Sequence, residues 1–347
     1  MRNAVRVPAR PVSDRARALH RAMPVTDLHA HPLFHLAYWG NDLGRRQRSP
    51  RPYSPTGACH WDLPRALEGG VRLQLFTVYA PTRPLRRMSP VADSHRQIDV
   101  FERFVAANAS RIAHARSIAH AREIAASGRL AAMLSVEGGH SLGGDPGEVA
   151  RLRARGVRAL TLVHFVDNGL VQGVEQRFHA QAPLTALGRE VLVELARHKV
   201  IADVAHLTRA SFDAVCAATD QLLVSTHSGV RALADLERNL ADAQLDEIAR
   251  RDGVVGVIML PLYLKRRFSC ALDDLADVVV HIASRVGIRH VALGTDFDGF
   301  IWTPRDLPGV EALPRLTQVL LDRGLSDLEV TAVMGANAQR VLARMDA

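Results

Sequence analysis

The sequence predicts a single-domain (β/α)8 barrel of the TIM type, an α/β fold, on two observations. Short apolar, β-branched runs alternate with longer amphipathic segments, and the chain has eight such runs. Each run is apolar almost throughout, which is typical of strands buried on both faces of a parallel sheet. The predicted strands are Pro24–Leu28, Val71–Tyr79, Leu130–Val136, Val157–Val163, Val200–Ala205, Leu222–Ser225, Val254–Leu260 and His290–Gly294.

Amphipathic patterns between these runs predict the helices that connect parallel strands. No linker divides the 347 residues, so we expect one domain with a helical N-terminal extension over 1–22 and C-terminal helices over 305–347. The segment 33–64 is rich in glycine and proline and too long for an ordinary connection, which predicts a rim loop. The predicted helices are Ala92–Ser127, Ala182–Arg197, Arg209–Ala218, Ala241–Arg251, Leu272–Val286 and a pair after Leu307.

Composition and charge limit the classes of function. The net charge of +8 is spread along helical stretches without interleaved aromatic residues, so nucleic-acid binding is not indicated. Cys59, Cys216 and Cys270 lie far apart, which indicates neither a disulfide framework nor a cysteine zinc site. The chain has no run of about 18 apolar residues and no signal peptide, so we expect a soluble cytoplasmic protein without a membrane partner.

Polar residues follow most of the predicted strands at the point where each strand ends. In a parallel barrel these ends meet at one face, where catalytic groups lie. Side chains that can bind metals or carry protons follow six of the eight runs. They are His29 and His31, Glu137, His164, His206, His227, and Asp296 with Asp298.

The histidines and Glu137 predict a metal centre. His29 and His31 stand two apart on an extended strand, so both project to one face, and His206 and His227 add the imidazoles that zinc favours. Glu137 follows a buried strand, where a carboxylate needs a compensating cation, and its two oxygens can bridge ions about 3.5–4 Å apart. The structural alternatives are a surface or core histidine pair and a glutamate that caps a helix or forms a salt bridge.

A carboxylate at the end of the last strand can carry a proton during hydrolysis. Asp296 and Asp298 both stand there, and either could take a proton from water and pass it to a leaving amine. The alternative for both is a turn aspartate that caps the next segment. The residues alone leave the choice between them open.

Seven motifs in this order resemble the membrane (renal) dipeptidase family, the M19 metallopeptidases, within the amidohydrolase-like barrels. They run from Thr26 to Phe300 and therefore cover most of the chain. The motifs are TDLHAHP, SVEGGHSL, RALTLVH, ADVAHLTRASFDAV, LLVSTHS, ERNLADAQLDEIARRDGVVGV and HVALGTDFDGF.

The resemblance implies a zinc-dependent dipeptidase with two divalent ions of the Zn²⁺ type. Its substrates would be dipeptides or acyl-amino acids, hydrolysed through a metal-bridged hydroxide, and bacterial relatives often accept a C-terminal D-residue. The metal ligands fall on His29, on Glu137 as the bridge, and on His206 with His227 for the second ion. His31 is expected to be a further ligand, although the family usually has aspartate there, and the exchange removes one negative charge.

The resemblance also assigns residues to the substrate. His164 falls on the histidine that polarises the substrate, and Asp296 on the general acid and base. Arg238 falls on the arginine that receives the terminal carboxylate, and Tyr263 matches the pocket wall. Family members often form dimers, so a homodimer is expected. Two rival hypotheses keep the barrel: a metal hydrolase for another amide, a lactone or a phosphoester, and a non-catalytic ligand-binding barrel.

Overall fold

Nine β-strands, β1–β9 in chain order, form one parallel sheet in the computed structural model, which describes residues 11–48, 59–82, 87–175 and 181–346. The N-terminal extension and the rim segment are described only in part, because residues 1–10 and 49–58 lie outside those ranges. The strands are Val25–Ala30, Val71–Val78, Ile112–His114, Leu130–Glu137, Val157–Thr161, Ile201–Asp203, Leu223–Ser228, Val255–Val257 and Val291–Leu293.

Eight of these strands close a barrel. The pairing order is β2-β1-β9-β8-β7-β6-β5-β4, and β4 pairs in turn with β2, from Leu73 opposite Ala131 to Val78 opposite Val136. The short strand β3 stands outside this ring and pairs with the first three residues of β4. The predicted eight-stranded parallel barrel is therefore confirmed, and each predicted run overlaps one barrel strand.

Fourteen α-helices, α1–α14, accompany the strands within the described ranges. Short π-helical segments follow α2, over His35–Trp39, and join α13 to α14, over Ala332–Ala336. The α-helices are Asp14–Ala22, Pro32–Phe34, Leu63–Glu68, Pro90–Ala107, Ile118–Ala126, Glu148–Ala154, Ala186–Arg197, Arg209–Ala218, Asp242–Arg250, Pro261–Lys265, Leu272–Val286, Leu313–Asp322, Asp327–Thr331 and Asn337–Ala343.

The prediction of one helix over Ala92–Ser127 is wrong. The segment holds most of α4, then β3, then α5, because α4 ends at Asn108 and Ser117 starts a new helix by accepting a hydrogen bond from the backbone of His120. The three-residue strand Ile112–His114 is too short to break the apolar period visibly. Two helices with an extra strand between them therefore stand where one was expected.

The rim segment 33–64 is helical at both described ends rather than a loop throughout. It starts within α2 and the π-helical turn and ends in the first residues of α3, where the Asp62 side chain caps the helix by accepting from Arg65 N. The N-terminal helix α1 packs on the C-terminal helices, with Ser13 N donating to Gln318 Oε1 at 2.8 Å. Among the described helices, none is both long enough and apolar enough to pass through a bilayer.

Candidate metal centre

The carboxyl ends of five barrel strands bring the predicted ligands together at one face. His29 and Glu137 lie at the ends of β1 and β4, and His227 lies near the end of β7. The others follow their strands by one to three residues. All are buried except His164, whose side chain is 15% exposed, and the group is His29, His31, Glu137, His164, His206, His227 and Asp296.

Glu137 is the residue around which the histidines gather. Its carboxylate is 1% exposed and lies among five imidazole rings, so both oxygens face nitrogen atoms rather than solvent. The nearest Nε2 atoms are those of His206 at 3.2 Å and of His227 and His29 at 3.4 Å from Oε1, and those of His31 at 3.4 Å and His164 at 3.9 Å from Oε2.

The imidazoles also face one another in pairs. Nε2 of His29 lies 3.1 Å from Nε2 of His31, and Nε2 of His206 lies 2.9 Å from Nε2 of His227. Three groups of ligand atoms lie within 4.8 Å of one another, which is close enough for each group to share a cation. The groups are His29, Glu137 and His227; His29, His31 and Asp296; and Glu137, His164 and His206.

Thr226 determines which way two of these rings present their lone pairs. Its hydroxyl donates to Asp203 Oδ2 at 2.6 Å, so towards His29 Nδ1 at 3.2 Å and His227 Nδ1 at 3.0 Å it can only accept. Both Nδ1 atoms then carry the hydrogen of the neutral ring, and the Nε2 lone pairs point at Glu137. Acceptors facing an acceptor fit a cation between them, and imidazole with carboxylate is a donor set that divalent zinc-like ions favour.

Burial sets the charge state of the centre. It lowers the pKa of His164 to about 4 and brings the pKa of His206 and His227 well below its ordinary value, so these rings are neutral near pH 7. Burial alone would raise the pKa of Glu137, but His164, His29 and His206 bring it well below its usual range. Neutral imidazoles around an ionised carboxylate are the forms that bind metal ions.

The two aspartates after β9 face different partners. Asp296 Oδ1 lies 3.3 Å from His31 Nε2, at the centre. Asp298 turns instead to the rim segment, where its Oδ1 accepts from the backbone N of His60 at 2.6 Å and its Oδ2 from that of Trp61 at 3.3 Å. The geometry therefore favours Asp296 over Asp298 as the carboxylate next to the ligands.

Strained backbone accompanies this arrangement. His206, Asp296 and Asp298 have φ values of 67°, 58° and 65°, in the left-handed region that residues other than glycine seldom adopt. Each such residue costs about 1–3 kcal/mol, and this strain is typical of functional sites. The turns at the ends of β6 and β9 thus hold their side chains at a conformational cost.

Arg238 lies beside the centre and is buried, with 6% of its surface exposed. Its Nη2 donates to the carbonyl of His227 at 2.7 Å and its Nη1 to Ser228 Oγ at 2.8 Å, whereas its Nε has no hydrogen-bond partner. The Tyr263 ring lies 5.5 Å from the guanidinium carbon. Among the described residues no carboxylate forms an ion pair with Arg238, so a buried cation faces the site without an anionic partner.

The family model for membrane dipeptidase (Peptidase family M19) matches residues 13–347 of this chain. The chain belongs to the membrane dipeptidase family. It is a peptide-bond hydrolase of the metallopeptidase class, with the TIM-type barrel of that class.

Individual relatives agree with the family match. Dipeptidase aclJ of Aspergillus oryzae is 31% identical over 81% of this chain and 69% of its own length. A Rhodobacter sphaeroides metallopeptidase, crystallised with a phosphinate mimic of the dipeptide L-Ala-D-Ala, is 26% identical, with a TM-score of 0.83 over 93% of this chain and 99% of its own. The probable dipeptidase PvdM of Pseudomonas aeruginosa shares the fold at 20% identity and a TM-score of 0.85, over 95% and 97%.

Two buried aspartates of this membrane dipeptidase family member escaped the sequence analysis. Asp203 accepts from Thr226 and also from Thr161 Oγ1, at 2.5 Å. Asp27 accepts from the backbone N of His29 at 3.2 Å and of Thr295 at 2.9 Å, which ties the ends of β1 and β9 together. Both stand in motifs named above, but their partners come from other strands, so no local spacing indicates what they contact.

Replacing Thr226 with valine should weaken metal binding while leaving the barrel folded. The change leaves the Nδ1–H groups of His29 and His227 without an acceptor, and loss of such a partner typically reduces metal affinity about 10- to 100-fold. Competition with a chelator of known zinc affinity measures the effect. Thr77→Val is the matched control, because Thr77 is a buried threonine whose hydroxyl contacts only Ser135 Oγ, at 3.3 Å. Equal affinities for the two variants would contradict the assigned role.

Proposed function

We propose that this chain is a zinc dipeptidase that holds the C-terminal carboxylate of its substrate on Arg238. The observation that carries the proposal is the buried guanidinium beside His227 whose Nε lacks a partner. A buried charge is costly unless it is paired, and burial lowers the pKa of Arg238, so an anionic ligand stabilises the site. A carboxylate fits a guanidinium through two parallel hydrogen bonds.

In this proposal two ions share Glu137 as their common ligand. His29 and His31 would complete one set, and His206 with His227 the other. Divalent ions bound there supply two functions, activation of a water molecule and polarisation of the scissile carbonyl. Zinc is favoured because four of the five ligands are imidazoles. His31 in the place of the usual aspartate makes the first set less negative, so its ion should be the first to dissociate.

Asp296 is the proposed proton carrier. Its position 3.3 Å from His31 places its carboxylate at the edge of the ligand cluster, where it can accept a proton from the attacking water. The same carboxyl then donates the proton to the nitrogen of the leaving amine. Asp298 has its oxygens occupied by the rim backbone and is not available for this role.

His164 is the proposed donor to the carbonyl oxygen. Its ring is neutral near pH 7, because burial lowers its pKa to about 4, and it is the least buried of the five histidines. A ring N–H can therefore donate to the oxygen that gains negative charge as the tetrahedral intermediate forms. Such a contact is stronger in the transition state than in the bound substrate, and it therefore accelerates the reaction.

The proposed substrates include dipeptides with a D-residue at the C-terminus. The Rhodobacter sphaeroides relative binds a mimic of L-Ala-D-Ala, which supports this choice. Arg238 contacts only the carboxylate in this account, so it recognises both stereoisomers, and Tyr263 would contact the C-terminal side group. The homodimer expected from the family resemblance stays a prediction.

Replacing Arg238 with glutamine should reduce kcat/KM for dipeptides about 100-fold. Loss of one partner from a buried charge pair costs about 2–5 kcal/mol, of which about 2.7 kcal/mol corresponds to this factor. The measurement compares L-Ala-D-Ala and L-Ala-L-Ala with the same dipeptides amidated at the C-terminus. The amides lack the carboxylate, so the parent enzyme should hydrolyse them poorly and the variant should lose little further activity on them.

Arg231→Gln is the matched control, because Arg231 is a neighbouring arginine that already forms ion pairs with Asp235 and Glu237. It should leave kcat/KM unchanged within about twofold, as is usual for surface ion pairs. Equal activity of Arg238→Gln and the parent on free dipeptides would refute carboxylate recognition by Arg238. Activity of the parent on lactones or phosphoesters, with none on dipeptides, would refute the proposed function.

A further inference from the structure

An aromatic side chain borders the candidate metal centre on the side of β2. Tyr79 directly follows this strand, and its ring centroid lies 4.6 Å from that of His164 and 6.0 Å from that of His31. Both contacts are edge-on, so the ring closes one side of the space above the ligands. Tyr79 is half-buried and therefore keeps part of its surface open towards the mouth of the barrel.

Three further aromatic rings extend this border outwards. Phe34 lies 6.3 Å from Tyr79, 5.4 Å from Trp39 and 4.8 Å from Phe300, measured between ring centroids. Trp39 and Phe300 lie 6.0 Å apart and meet edge-on. We call Phe34, Trp39, Tyr79 and Phe300 the aromatic wall.

Exposure increases along the aromatic wall from the centre to the surface. Phe34 is 2% exposed and supports the others from behind, whereas Phe300 is 62% exposed. Phe300 also has a φ of 61°, a left-handed conformation that is unfavourable for a bulky residue. Strain combined with an exposed apolar ring has no benefit for the stability of the free protein, and it is typical of a surface that a ligand covers.

The barrel topology places the aromatic wall opposite Arg238. Arg238 is bonded to the carbonyl of His227 and to Ser228, both in β7, and Tyr79 follows β2. Strands β1, β9 and β8 separate β2 from β7 on one side of the ring, and β4, β5 and β6 separate them on the other. A dipeptide whose carboxylate binds Arg238 and whose amide bond lies over the centre therefore directs its N-terminal residue towards the aromatic wall.

We propose that the aromatic wall selects dipeptides whose N-terminal residue carries an aromatic or large aliphatic side chain. This inference rests on the proposed function and adds a substrate class to it. The side chain would cover the open faces of Tyr79, Trp39 and Phe300 and remove apolar surface from water. The rim segment that supplies Phe34 and Trp39 matched none of the family motifs, so this selectivity would belong to this chain.

The test compares L-Phe-L-Ala with Gly-L-Ala, two substrates that share the same C-terminal residue. The zinc-loaded parent enzyme should show kcat/KM about 10-fold or more higher for L-Phe-L-Ala, in the range expected for apolar side-chain selection. Phe300→Asn should remove about 5- to 10-fold of this preference, mainly through KM, and leave Gly-L-Ala within about twofold. Asparagine tolerates the left-handed backbone, so the loop keeps its conformation.

Two further variants separate recognition from structural damage. Phe300→Tyr retains an aromatic face and should restore the preference for L-Phe-L-Ala. Leu328→Ala removes a side chain that is 83% exposed on α13, and it should change neither substrate. Equal kcat/KM of the parent for both dipeptides, or equal losses on both in Phe300→Asn, would overturn the inference while the proposed function stands. Hydrolysis of neither dipeptide would overturn both.

Discussion

Glu137→Gln is expected to lose dipeptide hydrolysis by about 10³-fold or more, together with bound metal. Glu137 is the one residue that lies within 3.9 Å of all five candidate histidine ligands. The amide has no negative charge, and its NH₂ group would face an imidazole in place of a carboxylate oxygen. Both candidate ligand sets are weakened by a single change, so the loss should exceed that for any one histidine.

Metal content per chain and kcat/KM, measured on the same preparation, check this expectation. Glu148→Gln is the matched control, because Glu148 is equally buried at 2% exposure but contacts His95 and Arg151 outside the centre. This control should retain the metal content of the parent. A Glu137→Gln enzyme with full metal content and full activity would show that Glu137 is not a ligand.

Asp296→Asn is expected to lower kcat about 10²- to 10⁴-fold with metal content unchanged, the range for loss of a general acid and base. Asparagine has nearly the same shape and tolerates the left-handed backbone at this position, where φ is 58°. The substitution therefore removes the proton-carrying group and little else. Steady-state kinetics on L-Ala-D-Ala and metal analysis measure the two quantities.

Asp298→Asn separates this role from that of the neighbouring carboxylate. Asp298 binds the backbone of His60 and Trp61, so its replacement should loosen the rim segment and lower the melting temperature. Its effect on kcat should be smaller than that of Asp296→Asn. A larger loss of kcat in Asp298→Asn than in Asp296→Asn would reverse the assignment.

The barrel could be predicted from the sequence because each strand is a separate apolar run with its own polar terminus. The same pattern placed His29, Glu137 and His227 at one face, since all parallel strands end there. Strand β3 could not be predicted, because Ile112–His114 is three residues long and lies between two helices of similar period. Short runs of this kind carry too little periodicity to distinguish a strand from a helix.

Contacts between distant parts of the chain set the limit for the site. Asp203 and Thr226 meet through a hydrogen bond across two strands, and neither residue type alone indicates that contact. Arg238 could be assigned only through the family resemblance, because an arginine before a helix is usually exposed, whereas this one is buried. The aromatic wall joins residues from 34 to 300, which sequence spacing does not connect.

Metal-dependent hydrolysis of L-Ala-D-Ala tests the central claim most directly. The purified chain is assayed as prepared, after removal of metal with a chelator, and after addition of zinc in increasing molar ratio. The account predicts hydrolysis that is lost on chelation and restored by zinc, reaching its maximum at two ions per chain. Hydrolysis that continues unchanged in the metal-free protein, or a zinc-loaded protein without any dipeptidase activity, would contradict it.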